Sequence, residues 1–293
     1  MRNLAVDGNK LYALLGVPSN ISPALVTSPV LSPLGLACAR IFLALYALTT
    51  SIVVLVHDTQ GSKDASGFFS YFTDLSYIGL ISYLCASAVQ TLVYALRRNG
   101  SFPLQRWPRL LQFLHILLYS TVTTFPIIVT VVFWALLSSP STFATTFSGW
   151  SNISQHAMNT LFALFEILFT NVRPAPWAHV VFLEVFLVCY LGVAYITKAT
   201  DGFYTYSFLD PHTEHGLLAA YIAGIGIGGA LVFAAVKGLV TLRVRFFQSR
   251  GRARADWEVQ CEWEADRLGQ DEEGKEGDAW EEGERPGEGS AVV

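Results

Sequence analysis

Apolar residues run in long unbroken blocks along this chain, without the regular polar interruptions of a helix or strand that faces water on one side. Six blocks stand out, at about 34–57, 70–96, 110–137, 152–171, 176–197 and 217–247. At about 1.5 Å of rise per residue each can cross a hydrocarbon core, the longer ones with tilt. Turn-rich pieces separate them, such as Ser138-Ser139-Pro140-Ser141 and Arg173-Pro174-Ala175-Pro176, where proline ends a helix. The pattern predicts an all-α, polytopic integral membrane bundle of six transmembrane helices over residues 34–247. A cytosolic segment, 1–33, precedes it, and a disordered acidic cytosolic tail, 248–293, follows.

Composition sharpens this picture. Of 293 residues, 52% are hydrophobic and 14% charged, where a soluble domain carries about a quarter charged residues. Between Arg109 and Glu166 there is no Asp, Glu, Lys or Arg. Residues 1–249 hold 13 Lys/Arg and 9 Asp/Glu, a net of +4, whereas residues 250–293 hold 6 and 14, a net of -8. The tail is too poor in aliphatic residues to bury a core of its own. Trp257, Cys261, Glu264 and Leu268 could nevertheless share one helical face at a membrane surface. No basic stripe interleaved with aromatics is present, which argues against nucleic acid as a partner.

The Lys/Arg bias of the short loops sets the orientation. With the N-terminus cytosolic, the inner segments hold Arg2, Lys10, Arg97, Arg98, Arg106, Arg109, Arg173, Arg243, Arg245, Arg250, Arg252 and Arg254. The outer loops then hold only Lys63 and Lys198. Both termini are expected in the cytosol, with the protein in the endoplasmic reticulum or another endomembrane, or in the plasma membrane. Cys38, Cys85, Cys189 and Cys261 are dispersed singly, so neither disulfides nor a metal-ligand pair are expected. No metal and no cofactor are expected, and the sequence identifies no protein partner.

Polar residues inside the spans are where chemistry is sought, because each is costly to place there. On the fourth span Asn152, His156, Asn159 and Glu166 fall within about 80° of arc on a straight helix and form one stripe. A hydrogen-bonded packing seam is the alternative reading. The second span opens Tyr71-Phe72-Thr73-Asp74-Leu75-Ser76-Tyr77, so Thr73 and His156 each lie a turn inside their spans on the same side of the membrane. A hydroxyl and an imidazole at one level are the minimum for an activated nucleophile. The plainer reading of Thr73 is a helix N-cap, a role that Asp74 could equally fill.

At these residues the chain resembles the androgen-induced and androgen-dependent TFPI-regulating family of membrane threonine hydrolases. Tyr71, Phe72, Thr73 and Leu75 are similar to the aromatic-rich motif of its nucleophilic threonine. Trp150, Asn152, His156 and Glu166 reproduce the spacing around its catalytic histidine. Gly202-Phe203-Tyr204-Thr205-Tyr206-Ser207-Phe208-Leu209 is similar to its Gly-x-Trp-x-Tyr-Pro-Phe-Leu stretch, with Tyr204 in place of Trp and Ser207 in place of Pro. The acidic tail has no counterpart in the family pattern. The resemblance implies cleavage of fatty acid esters of hydroxy fatty acids that enter from the bilayer, with Thr73 as nucleophile and His156 as base. Asn152, Asn159 and Asp74 are the candidate supporting residues. Glu166 lies about 15 Å along the helix from His156, which favours a structural role.

Three weaker signals complete the reading. Gly224-Ile225-Gly226-Ile227-Gly228-Gly229 formally fits a dinucleotide fingerprint, but mid-span it reads as close helix packing through Gly224 and Gly228. His212, Glu214 and His215, with His57 and Asp58 across the loops, form at most a weak metal signal. His115 and Tyr119 share a face of the third span and are candidates for lining the same cavity as Thr73, although a satisfied core histidine is the commoner case. The alternative function is a non-enzymatic membrane binding or transport protein with a polar intramembrane stripe.

Overall fold

The structure is a computed structural model that describes residues 8–60, 65–97 and 100–249. The acidic tail and the face through Trp257 and Cys261 lie outside the described residues, as do Lys63 and Arg98. Nine α-helices occur among the described residues, and no strand. They are α1 (Gly8–Leu14), α2 (Pro33–Gln60), α3 (Phe72–Leu96), α4 (Arg109–Val132), α5 (Thr146–Ile153), α6 (Asn159–Phe169), α7 (Ala178–Asp201), α8 (Pro211–Glu214) and α9 (Leu217–Ser249). Two π turns extend them: Phe133–Leu137 continues α4, and Ser154–Met158 joins α5 to α6.

Five of these helical stretches are long and apolar enough to cross a membrane: α2, α3, α4 with its π turn, α7 and α9. The fourth block, expected over 152–171, is instead three consecutive pieces from Thr146 to Phe169, none long enough by itself. Helix begins earlier there than expected because Thr145 caps it. The Thr145 hydroxyl accepts the Ser148 N–H at 3.0 Å, and the Ser148 hydroxyl accepts the Thr145 N–H at 3.1 Å.

Sequence chemistry explains the other ends. Pro33 starts α2, where its missing N–H costs nothing, and the Ser32 hydroxyl accepts the Gly35 N–H. α7 stops at Gly202, whose φ of 80° is left-handed and favours glycine; its N–H reaches Lys198 O at 3.2 Å. The Pro174–Pro176 stretch keeps α6 and α7 apart.

α4 is the central helix, with 67% of its apolar stretch buried, against 11% for α9. Its inward face packs on α3, α6, α7 and α9. Outside the bundle, Phe42 is 69% exposed, Val188 68% and Leu231 65%. Large apolar side chains presented outward from long apolar helices are what a bilayer covers and water does not. The chain is thus an integral membrane protein.

One end of the bundle is fastened by a buried ion pair. Arg40 on α2 donates to Glu166 on α6 through Nε to Oε1 at 2.8 Å and Nη2 to Oε2 at 2.7 Å, and both side chains are fully buried. Arg40 also donates to the Thr91 hydroxyl at 2.6 Å and to Leu25 O at 3.0 Å, and Tyr83 donates to Glu166. Glu166 is therefore a structural anchor. Nearby, Arg243 donates to the carbonyls of Ile167 and Val172, and Lys237 to that of Ala175. These cations satisfy carbonyls left open where α6 ends.

Candidate functional site

At the opposite end from Arg40, the start of α3 meets the loop that follows α7. The N-cap of α3 is Tyr71, with no side-chain cap bond. Thr73 and Asp74 both lie inside the first turn, so neither is the cap, and both side chains are free for other partners.

The Thr73 side chain is buried and lines a cavity of about 140 Å³. Most of its wall is aliphatic or aromatic, contributed by α4, α7 and α9 through Ile128, Val132, Leu187, Leu191 and Ile225. Its polar groups are Thr73, Tyr190, Tyr206 and Glu184. The Tyr206 hydroxyl accepts the Phe72 N–H at 3.2 Å, which places it next to Thr73 in the same cavity wall. Burial, reinforced by Tyr190, holds the Tyr206 phenol well above its ordinary pKa. It therefore keeps its proton and remains a donor at neutral pH. Tyr190 fixes this corner by donating to Ser70 O at 3.0 Å, and its ring lies 5.0 Å from that of Phe72.

His156 sits in the π turn between α5 and α6, the local geometry that often marks functional positions in helices. Its imidazole stacks on Phe133, with centroids 3.6 Å apart and planes 2° from parallel. Phe133 in turn lines the Thr73 cavity. Nδ1 of His156 is buried and has no hydrogen-bond partner among the described residues. The π turn is tied to α3 by Gln155, which donates to Asp74 at 2.9 Å, and to α2 by the hydroxyl pair Ser154–Tyr46 at 2.8 Å. Residues 155 and 74 are thus joined directly, each next in sequence to one member of the Thr73–His156 pair. No hydrogen bond links Thr73 to His156 themselves in this structure.

The supporting residues turn elsewhere. Asn152 donates to Ser148 O at 2.8 Å and Thr142 O at 3.3 Å. Asn159 accepts from the Thr130 hydroxyl at 3.2 Å. Neither lines the cavity. The straight polar stripe expected for this span is also broken, because the π turn shifts the helical phase between Asn152 and Asn159. Asn159 faces α4, whereas Glu166 faces α2 and α3. His115 and Tyr119 are buried against Tyr83 and are not part of the cavity wall.

Three participants escaped the sequence reading. Tyr206 lay inside a motif already quoted, and only the structure shows it in the same cavity wall as Thr73. Phe133 carried no signal in an apolar block. Glu184 did carry one: it is the single acidic residue between Glu166 and Asp201, within an apolar span, where an ionisable group is a functional candidate by default. The glycine run also differs from expectation. A Cβ on Gly224 or Gly228 would meet nothing within 4 Å among the described residues, whereas Gly226 and Gly229 face Glu184 and Leu187. Among the described residues no group of three His, Cys, Asp or Glu is placed to hold a metal ion. His57 instead stacks on Phe147.

Apolar spanning helices around a mainly apolar cavity with a hydroxyl-rich corner define a helical integral membrane protein. The chain belongs to the FAR-17a/AIG1-like family, whose model matches residues 37–240. That match contains Thr73, His156, Glu184 and Tyr206. Comparison with curated proteins and with solved structures gives no match.

Proposed function

We propose that the protein is an integral membrane carboxylic ester hydrolase acting on fatty acid esters of hydroxy fatty acids, with Thr73 as nucleophile and His156 as general base. The observation that carries this reading is the buried Thr73 hydroxyl at the polar corner of an otherwise apolar cavity, beside the Tyr206 phenol. An apolar cavity suits acyl chains and does not suit a passage for ions or small polar solutes. Family membership and the placement of His156 behind Phe133, one residue from the Gln155–Asp74 bond, support it further.

In the proposed reaction the ester carbonyl lies against Thr73 in the cavity, and the acyl chains extend from it between α7 and α9 toward the bilayer. His156 takes the Thr73 proton as Oγ bonds to the carbonyl carbon, and the resulting oxyanion receives a hydrogen bond from Tyr206. The bond to the alcohol oxygen then breaks, and His156 returns the proton to the leaving hydroxy acid. Water attacks the acyl-threonine, gives a proton to His156, and Thr73 recovers its own proton as the fatty acid departs. His156 meets Thr73 when substrate fills the cavity, since hydrogen bonds of this kind commonly close only in the bound complex. Asp74, through Gln155, holds the π turn in place, and Asn152 and Asn159 secure the flanking helices. The Thr146–Phe169 stretch is the sixth crossing, so both termini face the cytosol, in an endomembrane or the plasma membrane.

The test is hydrolysis of a branched fatty acid ester by membranes carrying the wild type, Thr73→Ala or His156→Ala at matched expression. The expected result is turnover by the wild type and none by either variant. Turnover retained by either variant, or absent from the wild type, overturns the assignment and leaves a lipid-binding protein.

A further inference from the structure

The Thr73 cavity has a second polar feature that the proposed reaction does not use. Glu184 lies on α7, six residues and so about 9 Å along the helix from Tyr190. Tyr190 marks the Thr73 end of the cavity, so Glu184 stands at a distance from the reacting corner, among Leu187, Ile128 and the glycines of α9. Its Oε1 is buried and has no hydrogen-bond partner among the described residues. The residue as a whole is half-buried, but a carboxylate oxygen left without a partner in apolar surroundings is costly, and an ionisable group within a spanning helix is a candidate for binding.

The surroundings are shaped for it. A Cβ on Gly226 would come within 3.2 Å of Oε2, and one on Gly229 within 3.3 Å of Oε1. The absence of side chains at these two positions therefore makes the space that the carboxyl group occupies between α7 and α9. The cavity also reaches the lipid-facing surface there. Val188 lines it and is 68% exposed, and Ile222 across from it on α9 is 36% exposed. A lipid can therefore enter sideways between α7 and α9, at a level between Glu184 and Tyr190, and reach both ends of the cavity.

We propose that Glu184 is a specificity-determining residue that binds an O–H group, of an alcohol or a carboxylic acid, carried by the lipid at a point separate from its scissile ester. The inference deepens the hydrolase reading and rests on it for the identity of the reacting bond. It assigns a residue to the second polar point of such a lipid: the ester lies at Thr73 and an O–H at Glu184, with apolar chain between. A simple ester of a long unsubstituted alcohol fills the same space and leaves Glu184 unpartnered. The cavity discriminates against it for that reason, since a buried group left unpaired costs more than a missing contact.

The experiment uses the full chain, as wild type, Glu184→Gln and Glu184→Leu, and two kinds of probe. The first is a set of three fatty acid esters whose alcohol part ends in a hydroxyl, a carboxyl or a methyl group. The wild type is expected to favour the O–H-bearing esters, and the first two members show which O–H it prefers. Glu184→Leu is expected to raise KM for them about tenfold or more and to lower it for the methyl-ended ester, so that the preference is lost. Glu184→Gln, which keeps an acceptor oxygen, is expected to lie between. The second probe is the matching set of ethers, which cannot be cleaved, read by thermal stabilisation of the purified protein. An O–H-ended ether that stabilises the wild type more than the methyl-ended one, with the difference lost in Glu184→Leu, supports the proposal whatever the turnover assay shows. Equal stabilisation of the wild type by both ethers, or the same difference in Glu184→Leu, overturns it. Absence of turnover together with selective ether binding overturns the hydrolase reading alone.

Discussion

The imidazole of His156 lies flat on the ring of Phe133, and each residue belongs to a π turn of its own helix. Two π turns facing each other across one ring pair fix the imidazole, whose Nδ1 has no hydrogen-bond partner among the described residues, and the Trp134 indole N–H fixes its backbone by donating to His156 O at 3.0 Å. Phe133 thus works as a platform that keeps His156 beside the cavity. If His156 is the base, Phe133→Leu removes the platform while leaving the nucleophile and the cavity's apolar lining. The expected outcome is a fall in kcat of about tenfold to a hundredfold, as for a catalytic group misplaced by about 1 Å, with KM little changed. Steady-state kinetics on one ester separates the two; a rise in KM at constant kcat would show that Phe133 only shapes the cavity.

The Arg40–Glu166 pair makes a different prediction because it sits away from the reacting corner. Removing one partner strands the other at full burial, and such a loss costs about 3–5 kcal/mol. Glu166→Leu is therefore expected to lower the thermal midpoint of the purified protein sharply. Arg40→Met combined with Glu166→Leu is expected to recover much of it, because an apolar pair of similar volume needs no compensation. Activity per folded molecule should hold in the double variant. A double variant no more stable than either single one would mean that Arg40 matters through Thr91 and Leu25 instead.

These two relationships also show what could be read from the sequence. Helical class, the membrane and the central apolar blocks follow from long runs without charge, a signal of composition that needs no tertiary context. Thr73 and His156 were legible as polar residues at one level of two spans. What sequence could not carry was helical phase: the π turn at Ser154–Met158 inserts its offset between Asn152 and Asn159, and a stripe drawn at a constant 100° fails there. Arg40 was hidden for another reason, since one arginine near the start of an apolar block looks like an interfacial residue until Glu166 is brought to it from 126 positions away. The glycines of α9 were misassigned because spacing selects a face only once the neighbouring helix is known.

That last point can be tested directly. Gly224 has open space where a Cβ would go, whereas a Cβ on Gly229 would meet Leu187, Glu184 and Ile128 at 3.2 to 3.5 Å. Gly224→Ala is therefore expected to be neutral or stabilising by up to about 1 kcal/mol, from helix propensity. Gly229→Ala gains the same propensity but must push three side chains, so it is expected to be the less stable of the two. Thermal midpoints in one detergent give the order, and the reverse order would place the close face of α9 back on Gly224 and Gly228.

Tyr206 offers the most direct probe of the reacting corner. Its hydroxyl holds the Phe72 N–H beside Thr73, and burial keeps it protonated. Tyr206→Phe removes a single oxygen and leaves the ring stacked on Phe208, with centroids 5.1 Å apart and planes 6° from parallel, so the loop after α7 should keep its shape. If the phenol donates to the oxyanion, kcat is expected to fall by about a hundredfold to a thousandfold, the range for losing one oxyanion donor. KM should stay close to the wild-type value, because the ground-state ester gains little from that bond. A purely structural tyrosine would behave otherwise. The Phe72 N–H would lose its acceptor and the thermal midpoint would drop, while kcat per folded molecule would remain. The pair of measurements, kcat and midpoint on the same preparation, therefore distinguishes a donor acting on the reaction from a strut that holds the start of α3.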